Sequence, residues 1–280
     1  MDGLKSIFGG LGSVFNFILN PFILIFVNLL IACYFVFATL NVPSPLGFAV
    51  IAVTIIIRVA TYPLVAKQLK YSKKMQELAP HITNIKNMHK GDAKRIQEET
   101  MKLHKEHGIN PLGGCLPTLI QLPVLFGLYS VLNSVVNLAP TAQIAYVNSH
   151  VLPFLKISQP LDTMFFGLPL GKSPSQLMGT LGIVIILIPV VTAFFQYIQA
   201  KMMFAPIPGG EKKKDAAPDF ATTFQSQSAI IFPLLIGFSS FTFPIGLSLY
   251  WNAFTIFGII QQYKIMGLGG MEPIWRKIKK

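Results

Sequence analysis

The chain has 280 residues, of which 52% are hydrophobic and only 12% charged, with 23 Phe. A soluble domain of this size carries about twice that charged fraction, and several apolar stretches reach the roughly 20 residues that cross a bilayer as helix. A soluble globular domain is therefore excluded, and the composition defines an all-α integral membrane protein. The net charge of +12 is concentrated. Ten of the 23 Lys and Arg lie in 67–108, four in 201–215 and five in 264–280, leaving only Lys5, Arg58, Lys156 and Lys172 elsewhere. The positive-inside bias puts the three basic segments in the cytoplasm and 137–175 outside.

Met1-Asp-Gly-Leu-Lys-Ser is too weakly charged to read as the basic region of a cleaved signal peptide. Asn20-Pro21 is a helix start, an N-cap followed by Pro at the first helical position. The stretch Phe22 to Leu40 then runs without a charge to Asn41-Val-Pro-Ser-Pro45, and by hydropathy alone it could span. The next apolar segment, Leu46 to Ala66, contains Arg58. The nearest charge on its C-terminal side is Lys67, nine residues on, or about 13 Å along a helix. A guanidinium stays protonated, so Arg58 must find a partner or water, and such a residue inside a span marks a functional site.

The segment 67–108 divides at Lys90-Gly91-Asp92. Upstream, Tyr71, Met75, Leu78, Ile82 and Ile85 recur every three or four residues; downstream, Ile96 and Leu103 hold a comparable stripe. Asp92 can N-cap the second helix, and Gly108-Ile-Asn-Pro111 ends it. The pattern predicts an antiparallel helical hairpin in the cytoplasm, with a sparse stripe that suits an element meeting partners or lipid headgroups.

Further apolar spans are Cys115 to Val136 and Leu177 to Ala200, separated by a Pro-rich outer loop over 137–175 with short helical pieces. Residues 205–218 form a Lys-rich cytoplasmic loop. The last apolar tract, Ala229 to Ile260, is a helix of about 48 Å if continuous, too long for one span. A cut at Phe243-Pro244 gives two short halves with polar inner ends, Gln225-Ser-Gln-Ser228 and Gln261-Gln262. A short greasy hairpin of this kind is met by local thinning of the bilayer.

Uncharged polar residues are spaced through the spans. Thr54 and Thr61 flank Arg58; Gln121, Ser130 and Asn133 lie on the next span; Thr192, Gln196 and Gln199 follow; Ser248, Asn252 and Thr255 lie on the last. Each alone is best read as bonding a backbone carbonyl or another helix. Together with Arg58 they are read more economically as lining one water-filled pocket. No carboxylate lies in any apolar span, which argues against a proton relay. No nucleophile elbow, phosphate-binding loop or His-Glu-x-x-His is present. His104 and His107 lack a third ligand, and Cys33 and Cys115 have no metal-ligand spacing. The expectation is no enzyme, no metal and no cofactor.

Several motifs carry a family likeness. Ile55-Ile-Ile-Arg-Val-Ala-Thr-Tyr-Pro-Leu64, Lys67-Gln68, Met75-Gln-Glu-Leu-Ala-Pro80, Gln97-Glu-Glu-Thr-Met101, Asn110-Pro-Leu-Gly-Gly-Cys-Leu-Pro117 and Ile120-Gln-Leu-Pro123 resemble, in order, segments of the YidC/Oxa/Alb membrane protein insertases. Phe243-Pro-Ile-Gly-Leu-Ser-Leu-Tyr-Trp251 and Ile259-Ile-Gln-Gln262 resemble their last hairpin. The resemblance covers roughly residues 20–265. It implies five transmembrane helices, N-terminus outside and C-terminus cytoplasmic, enclosing a hydrophilic groove open to the cytoplasm and to lipid, with Phe22–Leu40 an interfacial helix on the outer surface. It implies that Gln196 or Gln199 lines the groove and that Trp251 lies near substrate contacts. The implied division is 1–45 N-terminal segment, 46–66 span 1, 67–110 cytoplasmic hairpin, 111–136 span 2, 137–175 outer loop, 176–200 span 3, 201–224 cytoplasmic loop, 225–243 span 4, 244–264 span 5 and 265–280 basic tail.

The function this implies is ATP-independent insertion of nascent membrane proteins into the bilayer of the bacterial inner membrane, by a monomer, alone or with the Sec translocon. The hairpin stripe captures the client and Arg58, Thr54, Thr61, Gln121, Ser130, Asn133, Gln196, Gln199, Ser248, Trp251 and Asn252 form the groove. Relative to some members the chain lacks a large extracytoplasmic domain, and its tail, Trp275-Arg-Lys-Ile-Lys-Lys280, is short, which places ribosome contact in question. A solute transporter with Arg58 as an anion site and an assembly scaffold are the rival readings, separable by a flux assay and by insertion with the purified protein.

Overall fold

The structure is a computed structural model that describes residues 2–108, 116–203 and 220–278, with side chains described over 20–108, 126–203, 227 and 229–277. It is built almost wholly of helix: α1 (Asp2–Thr39), α2 (Pro45–Ala60), α3 (Tyr62–Met88), α4 (Ala93–Glu106), α5 (Leu116–Val136), α6 (Pro140–His150), α7 (Pro174–Leu181), α8 (Leu187–Met203), α9 (Phe220–Thr242), α10 (Ile245–Met266) and α11 (Glu272–Ile278). Among the described residues, Asn20–Thr39 and Pro174–Met203 are each long and apolar enough to cross a membrane, and α2 qualifies jointly with α3 across a break at Thr61. Packing divides the chain into two compact units. The first comprises Met1–Ile57, Thr118–Thr192 and Gly237–Phe254; the second comprises Arg58–Pro117, Ala193–Ile236 and Thr255–Lys280.

In the first unit, α1 does not begin at Asn20-Pro21. It runs through Pro21, which lies inside the helix. A proline there removes one backbone donor, yet the chain on both sides keeps helical geometry. Val27, Leu30 and Ile31 are fully buried on one face, while Leu24, Ile25 and Val36 are exposed on another. Asn28, the polar break in this greasy helix, joins α1 to the segment 137–173. Its amide nitrogen donates to the His150 carbonyl at 2.9 Å and its amide oxygen accepts from the Leu152 N–H at 2.8 Å. The Tyr34 hydroxyl accepts from the Asp162 N–H at 3.2 Å.

The segment 137–173 holds an element that helical reasoning does not anticipate: a two-stranded antiparallel hairpin, β1 (Met164–Phe165) and β2 (Leu168–Pro169). Its two-residue turn, Phe166-Gly167, has φ of +47° and +83°. Positive φ at both turn residues matches the right-handed twist of the strands, and Gly at the second position makes it accessible. Phe165 packs so closely on α2 that a Cβ at Gly47 would overlap its ring. Further along, Ser173 accepts from the Gln176 N–H while the Gln176 side chain accepts from the Ser173 N–H, a capping box that starts α7 at Pro174. Ile245 and Gly246 N–H groups donate to the carbonyls of Lys172 and Leu170, tying this segment to the start of α10.

The segment read as span 46–66 is interrupted at Thr61, which belongs to the second unit. Helix α2 stops at Ala60, and α3 starts at Tyr62 with Pro63 in its first turn, where a missing N–H is tolerated. Helices α3 and α4 pack as a hairpin across His89–Asp92. Gly91 takes φ +89° in the turn, and Asp92 caps α4 by accepting from the Arg95 N–H at 2.9 Å. The break between α9 and α10 falls at Phe243-Pro244, within the first unit.

The hairpin interior is not purely apolar. His104 is only 8% exposed, and its Nε2 and the buried Thr100 hydroxyl have no hydrogen-bond partner among the described residues. Burial pushes the His104 pKa below its ordinary 6.5 by disfavouring the imidazolium. The folded hairpin therefore holds the neutral ring. Its contribution is fully present above the ordinary imidazole value and is lost as pH falls toward the lowered one, because the opened form binds the proton more readily. Between about pH 7.5 and about pH 5, amide exchange in α3 and α4, corrected for intrinsic rates, should accelerate in the native chain and change much less in His104→Gln.

Candidate functional site

Arg58 occupies the last turn of α2 and is 4% exposed. It is held by reciprocal bonds with α10. Its Nη1 donates to Gln261 Oε1 at 3.3 Å, and Gln261 Nε2 donates back to the Arg58 carbonyl at 3.4 Å. That carbonyl also accepts from the Thr61 hydroxyl at 3.4 Å across the α2–α3 break. The close approach depends on Gly258. A Cβ there would collide with the amide nitrogen of Gln199 on α8 and with Nη2 of Arg58. Three helices thus bring one guanidinium and two carboxamides together over a bare stretch of helix backbone. On the same face of α10, Thr255 Oγ1 and both amide atoms of Gln262 are buried with no hydrogen-bond partner among the described residues. This neighbourhood holds polar capacity beyond what those two side chains use.

Of the two glutamines left open by sequence, Gln199 has its amide at Gly258 beside Arg58; Gln196 is half-buried. Gln261 and Gly258 are not singled out by sequence reasoning, which assigns Gln261 only to the polar end of a hairpin. The signal for both was present. A glycine inside a helix is less favourable than Ala by about 1 kcal/mol and needs a packing reason, and Gly258 and Gln261 lie three residues apart on one face.

The remaining candidates form a different kind of cluster, in the first unit. Asn252 donates to the Thr192 hydroxyl and to the Ser248 carbonyl, each at 2.9 Å. Ser240 donates to Thr192 at 3.3 Å and lies 2.8 Å from the Ser248 hydroxyl. Thr192 donates to the Ile188 carbonyl at 2.9 Å. Here hydroxyls and one amide stitch α8, α9 and α10 together, so Ser248 and Asn252 bond within the protein. Thr54 is fully buried and donates to the Val50 carbonyl at 2.6 Å. Trp251 is buried, 6.1 Å from the Phe243 ring, which in turn contacts Tyr129. Ser130 is half-buried. Asn133 is exposed, accepts from Asn137 at 2.7 Å and lines a separate cavity of about 590 Å³ with Lys172 and Gln176. Gln121 lies outside the residues whose side chains are described. On the hairpin, Leu78 is 5% exposed and packed inward, whereas Tyr71, Met75, Ile82 and Ile85 are half-exposed. No group of three or more His, Cys, Asp or Glu suited to a metal ion occurs among the described residues.

These features define a helical membrane protein with a cation and carboxamides buried between its helices. The profile of the family described as 60Kd inner membrane protein matches residues 24–270, and the chain belongs to that family. It is 32% identical over 257 residues to the inner membrane protein ALBINO3, chloroplastic, of Arabidopsis thaliana, covering 84% of this chain and 50% of that protein. It is 33% identical over 222 residues to the membrane protein insertase YidC of Rickettsia massiliae (strain Mtu5), covering 78% of this chain and 35% of that one. The chain therefore spans half or less of the length of these curated relatives. Its fold matches an active YidC insertase crystal structure with a TM-score of 0.53 at 24% identity, over 84% of this chain and 45% of the other.

The geometry at Gly258 is directly testable. Gly258→Leu should lower stability by about 1–3 kcal/mol through overpacking. Gly258→Ala should change it little, because the displaced atoms are the far ends of flexible side chains and Ala gains about 1 kcal/mol of helix propensity. Thermal unfolding in detergent followed by circular dichroism measures both.

Proposed function

We propose that this chain inserts hydrophobic segments of nascent membrane proteins from the cytoplasm into the bilayer and passes their short tails across, without ATP, metal or cofactor. The observation that carries this reading is Arg58, a permanent cation buried between helices and bonded to a neutral carboxamide. Family membership and the YidC-like fold support it. The proposed topology has five spans, 46–66, 111–136, 176–200, 225–243 and 244–264, in the bacterial inner membrane, with the N-terminus outside and the C-terminus cytoplasmic. Asn28 and Tyr34 bond α1 to the outer segment, which supports an interfacial role for Phe22–Leu40.

In the proposed cycle, the exposed positions of the hairpin stripe, Tyr71, Met75, Ile82 and Ile85, receive the client's hydrophobic segment. Its short N-terminal tail enters beside Arg58. An acidic tail gains from the guanidinium there, because a charge–charge attraction is several times stronger in a poorly hydrated site than in bulk water. The carboxamides of Gln199 and Gln261 can turn to accept or donate, so they stabilise the cation before the client arrives and the tail's backbone afterwards. The hydrophobic segment then partitions into lipid, which supplies the driving force. Release of the tail outward is helped by the membrane potential, about 2.3 kcal/mol per charge per 100 mV. The protein acts as a monomer, alone or beside the Sec translocon.

In vesicles containing only the purified chain, Arg58→Ala should slow insertion of an acidic-tailed single-span client by about tenfold or more, the loss of one charge-assisted bond of ~1.5–3 kcal/mol. Arg58→Lys should retain more activity. A client with a neutral tail should be much less sensitive to either variant, and full insertion of the acidic client by Arg58→Ala would overturn the electrostatic part of the cycle.

A further inference from the structure

The C-terminal end of the chain is built into the second unit by a glycine turn. Helix α10 ends at Gly267, whose φ of +76° reverses the chain while its N–H bonds the Tyr263 carbonyl at 2.9 Å. Gly269 then lies so close to the end of α8 that a Cβ would overlap the Met202 carbonyl. The short helix α11 that follows is therefore held in place, and it forms with the last turn of α10 an open surface cavity of about 650 Å³. Lys264 and Arg276 face this cavity against a single carboxylate, Glu272. Glu272 accepts from Arg276 Nε at 3.1 Å, an arrangement that leaves the guanidinium's other N–H groups available for a second acceptor. The cavity thus offers net positive charge and directed donors.

Its apolar surroundings narrow the ligand. Tyr263 and Trp275, 57% and 48% exposed, flank the cations. Tyr and Trp in that position are the amphipathic rings that sit at headgroup level. Below them on α10, Ile256 and Ile260 are exposed at i−7 and i−3 from Tyr263, so the three form one continuous outward stripe. A stripe of apolar surface running up to a basic, donor-rich cavity fits an acyl chain joined to an anionic phosphate. An acidic peptide would use the charge but leave the stripe uncovered.

We propose that this cavity binds the headgroup of an acidic glycerophospholipid, with Lys264 and Arg276 on the phosphate, Tyr263 and Trp275 at the ester level and an acyl chain along Ile260 and Ile256. The lipid would then anchor α11 at the membrane surface, independently of whether Arg58 receives clients.

Trp275 is a built-in reporter, since the chain has only two Trp. The full chain carrying Trp251→Phe is reconstituted in phosphatidylcholine vesicles containing a minor fraction of phosphatidylglycerol, with brominated acyl chains on one lipid or the other. Brominated phosphatidylglycerol should quench Trp275 well beyond its mole fraction, and removing each cation should lower that enrichment about fivefold. Lys264→Gln with Arg276→Gln should bring quenching down to the mole fraction, while Lys264→Arg with Arg276→Lys should keep the enrichment, which controls for folding. Equal quenching by both lipids overturns the proposal. Loss of the enrichment on adding millimolar inorganic phosphate would assign a free-phosphate site and overturn it too. Equal quenching together with a shift of Trp275 emission on adding ribosomal RNA would reassign the surface to nucleic acid. An Arg58→Ala arm separates the two functional readings, since it should impair insertion and leave the lipid enrichment intact.

Discussion

A guanidinium placed in the last turn of an apolar helix cannot discharge itself, and the second unit is organised around that constraint. The buried Arg58 needs acceptors, and helices α2, α8 and α10 contain no carboxylate to offer. Gln261 meets the need with a carboxamide that both accepts from the guanidinium and donates to the Arg58 carbonyl. Gly258 supplies the space, because any side chain there would hold the guanidinium and the Gln199 amide away from α10. A carboxamide stabilises a buried cation without adding a counter-charge of its own.

The hydroxyl cluster of the first unit works differently. Thr192, Ser240, Ser248 and Asn252 bond one another within a few ångströms, and the backbone carbonyls of Ile188 and Ser248 accept the remaining donors, leaving only Asn252 Oδ1 of this set without a partner among the described residues. In an apolar solvent such groups act as glue between helices, each bond adding modest stability and strong registration. Residues of one chemical class, spaced alike along the sequence, thus divide into a set that joins helices and a set that surrounds a charge. The segment that follows α6 adds a third use of amides, with half-buried Asn28 satisfying the His150 carbonyl and the Leu152 N–H and so fixing where α1 lies against it.

Some of this was legible from particular residues. Asp92 caps α4 because its short carboxylate reaches the N–H three residues on, a purely local geometry. The all-helical membrane class followed from charge content and run length, which measure the solvent the chain prefers. Other points were not legible. Pro21 reads as a helix start, yet α1 passes through it; the choice between starting and continuing depends on what the flanking residues form. The hairpin at 164–169 is too short for a periodicity to show, and its one cue, Gly167 after Phe166, has meaning only once the strands pair. Leu78 belongs to the hairpin stripe by spacing but faces inward, since the burial of a stripe is decided by the partner helix.

By itself, the sequence determined that the chain lives in a membrane, that its charge is gathered into three basic segments and that one cation lies within an apolar run, because composition and local spacing fix solvent preference and helix faces. Only the tertiary structure decided which polar groups meet. Gln199 and Gly258 are 59 residues apart, and Arg58 and Gln261 are 203 apart. Contacts over such separations are set by how helices pack, and a one-turn shift of α10 would pair Arg58 with a different side chain altogether.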